Sequence, residues 1–143
     1  MIVKQVSVFL ENRAGRLAEV TGILADQDIN IRALSLADSA DFGILRLIVD
    51  DVERAKEILK REGLTVRETD VVAVEVPDRP GGLAHLLQIF KDENVNVEYM
   101  YAFVKAPSRS AVMIFRFEDP HKALGALRDK GVRVIPGDEL YHM

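Results

Sequence analysis

Hydrophobic residues along the chain switch between the two-residue period of β-strands and the 3.6-residue period of helices. In the first half, a polar turn at 38–41 separates two strand-like segments, and Gly63 closes a helix that carries basic residues just before it. The pattern predicts, in order, a strand at 6–10, a helix at 17–24, strands at 29–36 and 42–49, a helix at 52–59 and a strand at 64–67. The first half is therefore predicted to have the order βαββαβ.

The second half repeats the first. Residues 11–31 align without a gap with 77–97 at an offset of 66, and residues 51–66 align with 119–134 at an offset of 68. The seam near 68–71 has no spacer rich in Gly, Ser or Pro, so the two copies should pack against each other rather than hang on a flexible tether. We expect two domains, residues 1–69 and residues 70–143.

A βαββαβ unit has few ways to close. Because crossover connections are right-handed, each copy is predicted to form an antiparallel sheet with both helices on one face, the ferredoxin-like arrangement. The fold class is therefore α+β, with two such units in tandem. The sequence leaves open whether the units lie side by side or face to face.

Composition and charge exclude several function classes. The 143 residues are 48% hydrophobic and 29% charged, and no apolar run approaches the roughly 20 residues of a membrane span. There are no cysteines, which rules out disulfides and thiolate chemistry, and the net charge of -4 argues against nucleic acid as a partner. The N-terminal residues lack the features of a secretory signal, so a cytoplasmic location is expected.

The loop after the first strand of each copy carries the most chemical information. It reads ENRAG at 11–15 and PDRPGG at 77–82, and each loop leads into a helix. Glycine lets the backbone turn tightly or approach a ligand, and the start of a helix presents free N–H groups suited to a carboxylate. In the alternative interpretation, Asn12 and Asp78 only cap the helices and the glycines only turn the chain.

The two loops resemble the signature of ACT domains, the amino-acid-sensing modules of many biosynthetic enzymes. The runs ENRAGRL and PDRPGGL are each followed by DINI or NVNV at the head of a strand, in the same element order, twice. The resemblance implies that an amino acid binds at the interface between paired ACT domains, with its carboxylate on loop N–H groups. It also implies the candidate ligand residues Asn12, Arg13, Ala14, Gly15, Arg16, Leu17 and Asn30 in the first copy, and Asp78, Arg79, Pro80, Gly81, Gly82, Leu83 and Asn96 in the second. Ala14 stands where the family usually has proline.

The chemistry of these side chains agrees with an amino-acid ligand. Asn12 and Asn30 offer donors and acceptors without charge, which suits a zwitterion, and Asp78 is a natural acceptor for an ammonium group. Arg13 and Arg79 could clamp a carboxylate in a bidentate manner, or could be solvated side chains.

An aromatic cluster follows Asn96. Tyr99, Met100, Tyr101 and Phe103 lie on one predicted strand, so alternate residues face opposite sides of the sheet and one set could line a ligand pocket. Tyr99 and Tyr101 are therefore added to the candidate ligand residues as walls of a pocket, although packing in a core or an interface is the other interpretation.

No constellation in the sequence indicates catalysis. His85, His121 and His142 are far apart and have no metal-site spacing, and neither a phosphate-binding nor a dinucleotide-binding fingerprint is present. We predict a non-catalytic amino-acid-binding regulator, without metal or cofactor, that is a homodimer and acts on a separate biosynthetic enzyme. The alternative is a structural or protein-interaction module that contacts a metabolic enzyme without binding a ligand.

Overall fold

The computed structural model describes residues 1–38, 41–103 and 110–143. These residues form two compact units, here named by repeat: the first unit is Lys4–Thr69, and the second unit is Met1–Val3 together with Asp70–Met143. Ile2 packs against the hydrophobic core of the second unit. The division into separate domains at 1–69 and 70–143 stays a prediction. Part of the predicted turn at 38–41 lies outside the described residues.

The predicted order βαββαβ is confirmed in both units. The elements of the first copy are β1 (Val3–Glu11), α1 (Arg16–Asp26), β2 (Ile31–Asp38), β3 (Phe42–Val49), α2 (Val52–Arg61) and β4 (Thr65–Pro77). Strand β4 is continuous through the seam, so the strand predicted at 64–67 runs on into the first strand of the second copy and supplies both units.

The second copy continues from the end of β4. Its elements are α3 (Gly82–Asp92), β5 (Val97–Ala102), β6 (Ser110–Phe117), α4 (Pro120–Asp129), β7 (Val134–Ile135) and α5 (Gly137–Tyr141). The five-residue helix α5 was not predicted, because one helical turn is too short to show a hydrophobic period.

Each unit has an antiparallel sheet of ferredoxin-like topology, which confirms the predicted fold class. The strand order is β2-β3-β1-β4 in the first unit and β5-β6-β4-β7 in the second. Strand β2 pairs with β3 from Ile31 opposite Val49 to Asp38 opposite Gly43, and β5 pairs with β6 in the equivalent way. Within its own unit, each of β2 and β5 pairs with a single neighbour among the described strands.

The helices of each unit cover one face of its sheet. In the first unit, Val8 and Leu47 of the sheet pack with Leu24 and Leu59 of the helices. In the second, the rings of Phe90, Phe115 and Phe117 lie 5.0–5.4 Å apart between centroids. Three leucines of helices α1 and α3 remain 36–39% exposed, namely Leu17, Leu83 and Leu87.

Among the described helices, none is long and apolar enough to cross a membrane.

Candidate functional site

The loops that precede α1 and α3 have the same backbone geometry. Gly15 and Gly81 are the N-cap residues of these helices and adopt left-handed conformations, with φ of 90° and 86°. An L-residue with a side chain pays about 1–2 kcal/mol for this conformation, so both positions favour glycine. In each loop an arginine N–H closes a tight turn: Arg13 donates to the Glu11 carbonyl at 2.9 Å and Arg79 to the Pro77 carbonyl at 3.0 Å.

The four long helices differ in how they begin. Helices α2 and α4 start with Asp51 and Asp119, whose carboxylates accept hydrogen bonds from backbone N–H groups of the first turn at 3.1 and 3.2 Å. Helices α1 and α3 start with glycines, which have no side chain to cap them. Free N–H groups at a helix start form an anion-binding site together with the positive end of the helix dipole.

The capping alternative fails for one of its two residues. Within the described part of the chain, the Asp78 side chain makes no hydrogen bond, so it does not cap α3. The backbone N–H of Asn12 donates to the Asp41 carbonyl at 2.9 Å, which ties the first loop to the start of β3.

A small cavity opens beside the first loop. Its volume is about 70 Å³, well below the roughly 300 Å³ of a typical small-molecule pocket, so it can enclose only part of a ligand. Four predicted residues line it, Asn12, Arg13, Arg16 and Leu17, together with Leu10, Glu11, Leu36 and Gly43.

The two arginines of this cavity are in different environments. Arg13 Nε lies 3.0 Å from Glu11 Oε2, and both side chains are more than half exposed, so water can replace this pair at little cost. Arg16 Nη1 lies 2.8 Å from Glu19 Oε2, but the Arg16 side chain is only 17% exposed. Its Nε is buried and has no hydrogen-bond partner among the described residues. A buried unpaired donor costs about 1–3 kcal/mol, so Arg16 has a donor available to an anion.

Sequence reasoning missed the residues on the sheet side of the cavity. Leu36 pairs with Leu45 across the β2–β3 hairpin, and its side chain reaches Gly43, where an added Cβ would lie 3.3 Å from Leu36 Cδ1. Glycine at this position therefore leaves room for the leucine. The strand period predicts which residues of β2 share a face, but only the register of the hairpin brings Leu36 to the loop.

In each unit, the predicted asparagine (Asn30 or Asn96) and the glycine loop lie at opposite ends of that unit's sheet. Asn30 is joined to Asp50 by two hydrogen bonds, of 3.0 Å from its N–H to the Asp50 carboxylate and 3.1 Å from the Asp50 N–H to its carbonyl. Strand β3 pairs with Glu11 at its start and with Ile31 at its end. Seven residues of strand at roughly 3.3 Å each separate these ends by about 23 Å. The loop and the asparagine of one unit therefore cannot contact the same small ligand.

Asn96 lines a polar cavity of about 270 Å³ in the second unit. Its other lining residues include Glu118, Asp119 and Lys122, and the Lys122 Nζ donates to the Asn94 carbonyl at 2.9 Å. The cavity offers both carboxylates and a cation, which suits a ligand with charges of both signs.

The family of the chain follows from comparison with known proteins. A family model described as an ACT domain pair matches residues 1–143. The chain belongs to this family. A comparison with curated proteins finds no match.

Solved structures share the fold of this ACT domain pair. A crystal structure of a protein from Bacteroides thetaiotaomicron is 42% identical, covers 100% of this chain and 98% of its own, and has a TM-score of 0.94. The ligand-free regulatory subunit of aspartate kinase from Thermus thermophilus is 19% identical, with coverage of 88% and 91% and a TM-score of 0.63. The regulatory subunit from Thermus flavus is 17% identical, with coverage of 88% and 90% and a TM-score of 0.59. At these low identities the two subunits show the shared ACT fold alone.

Of the remaining predicted residues of the ACT pair, Ala14 is exposed in the first loop and the others lie on the second unit. Pro80 and Gly81 are exposed in the loop, and Gly82 is buried in the first turn of α3. Tyr101 of β5 is 9% exposed and pairs with Ile114, whereas its neighbour Met100 packs on the helix side of the sheet. Among the described residues, no group of three His, Asp or Glu side chains could hold a metal ion.

Proposed function

We propose that this ACT domain pair is a non-catalytic regulator that binds a free amino acid between paired ACT domains. The observation that carries the proposal is the first loop, where a helix starts without a side-chain cap beside the unpartnered Nε of Arg16. Loop N–H groups and this guanidinium together suit a carboxylate. Two proteins of the same fold are regulatory subunits of aspartate kinase, which agrees with a regulatory role.

A second domain is needed to complete such a site. The first loop and Asn30 are separated by about 23 Å within one unit, because they lie at opposite ends of β3. Antiparallel pairing of β2 with the same strand of a second chain would place the start of one β2 beside the end of the other. The asparagine of one chain would then reach the loop of its partner.

The surface around β2 supports this homodimer. Leu34 and Leu36 of β2 are 40% and 54% exposed, and Leu17 of α1 is 39% exposed. Pairing through the strand edge would bury these side chains and satisfy its backbone hydrogen-bonding groups. A ligand at this interface shifts the arrangement of the domains by as much as it prefers one arrangement over another. The regulated protein would be a separate biosynthetic enzyme in the cytoplasm.

A thermal-shift panel of the twenty amino acids at millimolar concentration tests the proposal. A ligand at about 100 times its Kd stabilises the folded state by about 2.7 kcal/mol, which raises Tm by several degrees. The responding amino acid is then tested on Arg16→Gln, Asn30→Ala and Asn96→Ala. Arg61→Gln is the matched control, because Arg61 forms an exposed ion pair with Glu57 on α2.

A response to one or two amino acids that is lost in Arg16→Gln or Asn30→Ala supports the proposal and assigns the site to the first unit. Loss in Asn96→Ala alone moves the site to the second unit. If none of the twenty amino acids changes Tm, the amino-acid proposal is wrong. The chain would then act as an interaction module, and partner capture becomes the informative experiment.

A further inference from the structure

The second unit contains an apolar cavity whose lining includes no residue of the loop before α3. Its volume is about 420 Å³, and it is lined by Met1, Leu124, Arg128, Gly131, Val132 and Val134. Small-molecule pockets usually have volumes of about 300–1,000 Å³ and mostly apolar walls with a few polar groups. Three further cavities among the described residues, of about 270, 70 and 190 Å³, fall below this range.

The repeat shows that this cavity is specific to the second unit. At an offset of 68, Leu124 corresponds to Lys56 of the first unit. The Lys56 Nζ lies 3.2 Å from Glu68 Oε1 and 3.4 Å from Glu53 Oε1, so an ion-pair cluster occupies this position there. The residues equivalent to the two glutamates are Pro136 and His121, neither of which carries a carboxylate. The second unit therefore has an apolar wall where the first has paired charges.

The wall is continuous with the hydrophobic core. Leu124, Val132 and Val134 are partly buried and pack against the core of the second unit. Their other sides line the cavity, so a ligand there would contact a surface already held in place by core packing.

Arg128 places a cation at this apolar cavity. Its side chain lines the cavity and, within the described residues, makes no ion pair and no side-chain hydrogen bond. None of the described lining residues carries a carboxylate. The cavity therefore suits a molecule with an apolar body and a single negative charge, and its side chains offer no acceptor for an ammonium group.

We propose that this cavity binds an aliphatic monocarboxylate, with the hydrocarbon chain against Leu124, Val132 and Val134 and the carboxylate on Arg128. The site is distinct from the proposed amino-acid site. It should prefer 4-methylpentanoate to leucine, which has the same carbon skeleton with an added ammonium group.

The site is tested by titrating the full chain with butanoate, pentanoate, hexanoate and heptanoate. Calorimetry measures the affinity, and amide chemical shifts show where each ligand binds. Affinity should rise about fourfold for each added methylene group until the cavity is filled. The shifts should concentrate on the end of α4 and on residues 131–134. Leucine should give no saturable change at these amides, whether or not it binds elsewhere.

Two variants distinguish binding in this cavity from nonspecific binding. Leu124→Lys introduces the residue found at the equivalent position of the first unit and should abolish binding, and Arg128→Gln should weaken binding at least tenfold. Lys60→Gln is the matched control, because Lys60 corresponds to Arg128 in the repeat and should leave binding unchanged. Tm measured without ligand establishes that each variant is folded.

Three results would overturn the proposal. They are the absence of saturable binding at millimolar concentration, binding that is equal in Leu124→Lys and the parent chain, and a change of oligomeric state in Leu124→Lys by sedimentation. The last result would assign the cavity to an interface between copies of the chain.

Discussion

The two glycine loops share a backbone turn but differ at the residue that follows it. Arg16 begins α1 in the first unit, and Gly82 begins α3 in the second. A Cβ on Gly82 would collide with the Pro77 carbonyl oxygen. The hydrogen bond from the backbone N–H of this residue to the arginine carbonyl three residues earlier is also shorter in the second loop, at 3.0 Å from Gly82 to Arg79 against 3.4 Å from Arg16 to Arg13.

Because of this difference, the two loops place different groups at the start of their helices. The wider first turn accommodates a side chain and places a largely buried guanidinium beside the helix start. The closer second turn excludes any side chain at the same position and carries Pro80, which restricts the backbone further. Both loops keep the amide groups of the helix start, but only the first adds a cation at the residue after the turn.

The largest expected effect concerns the cation itself. If Arg16 holds the ligand carboxylate, Arg16→Gln removes a charge-assisted hydrogen bond of about 1.5–3 kcal/mol and should weaken amino-acid binding roughly 10- to 150-fold. Arg13→Gln should cost less than about 1 kcal/mol, because Arg13 is exposed and paired with Glu11. Calorimetric titration with the responding amino acid measures both. Equal losses in the two variants would contradict the assignment of the carboxylate to Arg16.

The second prediction tests the close turn of the second loop. Gly82→Ala should destabilise the protein by about 1–3 kcal/mol, because the added Cβ must displace the Pro77 carbonyl. Gly22→Ala is the control: no atom of the surroundings lies within 4 Å of the place that its Cβ would take in α1, so it should stabilise by about 0.5–1 kcal/mol. Urea denaturation compares them. A neutral Gly82→Ala would mean that the two loops tolerate side chains equally.

The sequence was sufficient for the fold because hydrophobic period and repeat agree. The alternation in β1 and the stripe of Val20 and Leu24 predict elements that the structure contains. The period could not show that the strands at the seam join into β4, since a strand has no internal signal for where one repeat ends. The site was harder to predict from the sequence, because it depends on the register and the direction of paired strands.

Arg16 and Asn30 illustrate that limit. Both were predicted to contact a ligand in the first copy, yet the antiparallel register of β3 places them at opposite ends of the sheet. Leu36 was not a candidate, although the hairpin brings it to the first loop. Sequence motifs identify residues that share a chemistry, whereas the pairing of strands decides which of them share a location.

The third prediction compares the helix starts. Asp119→Ala should destabilise the protein by about 1 kcal/mol, because the Asp119 carboxylate accepts the N–H of Lys122 at the start of α4. Asp78→Ala should have almost no effect on stability, because its side chain makes no hydrogen bond within the described residues. Denaturant midpoints measure both. A loss in Asp78→Ala as large as in Asp119→Ala would restore the capping interpretation of the second loop.

The smallest expected effect concerns pH and a pair of positions near the ends of the first strands. Phe9 of the first unit corresponds to Glu75 of the second, and each meets an arginine of its own unit. The Arg67 guanidinium carbon lies 5.8 Å from the centroid of the Phe9 ring, whereas the Arg133 Nη1 lies 3.1 Å from Glu75 Oε2. Hydrogen bonds from Arg133 and then from Ser110 lower the pKa of Glu75 below its ordinary value of 4.5.

A carboxyl group whose pKa is lowered by folding contributes stability above its unfolded pKa, and this contribution is lost as pH falls through the folded value. The free energy of unfolding should therefore decrease below about pH 4.5 by more in the parent chain than in Glu75→Gln. Arg67→Gln should leave the pH dependence unchanged, because the Phe9 ring does not titrate. Urea denaturation between about pH 3 and 6 compares the three proteins across this window. Identical pH profiles for the parent and Glu75→Gln would contradict this prediction. The ion pair of the second unit would then contribute no more to the pH dependence of the free energy of unfolding than the ring contact of the first unit.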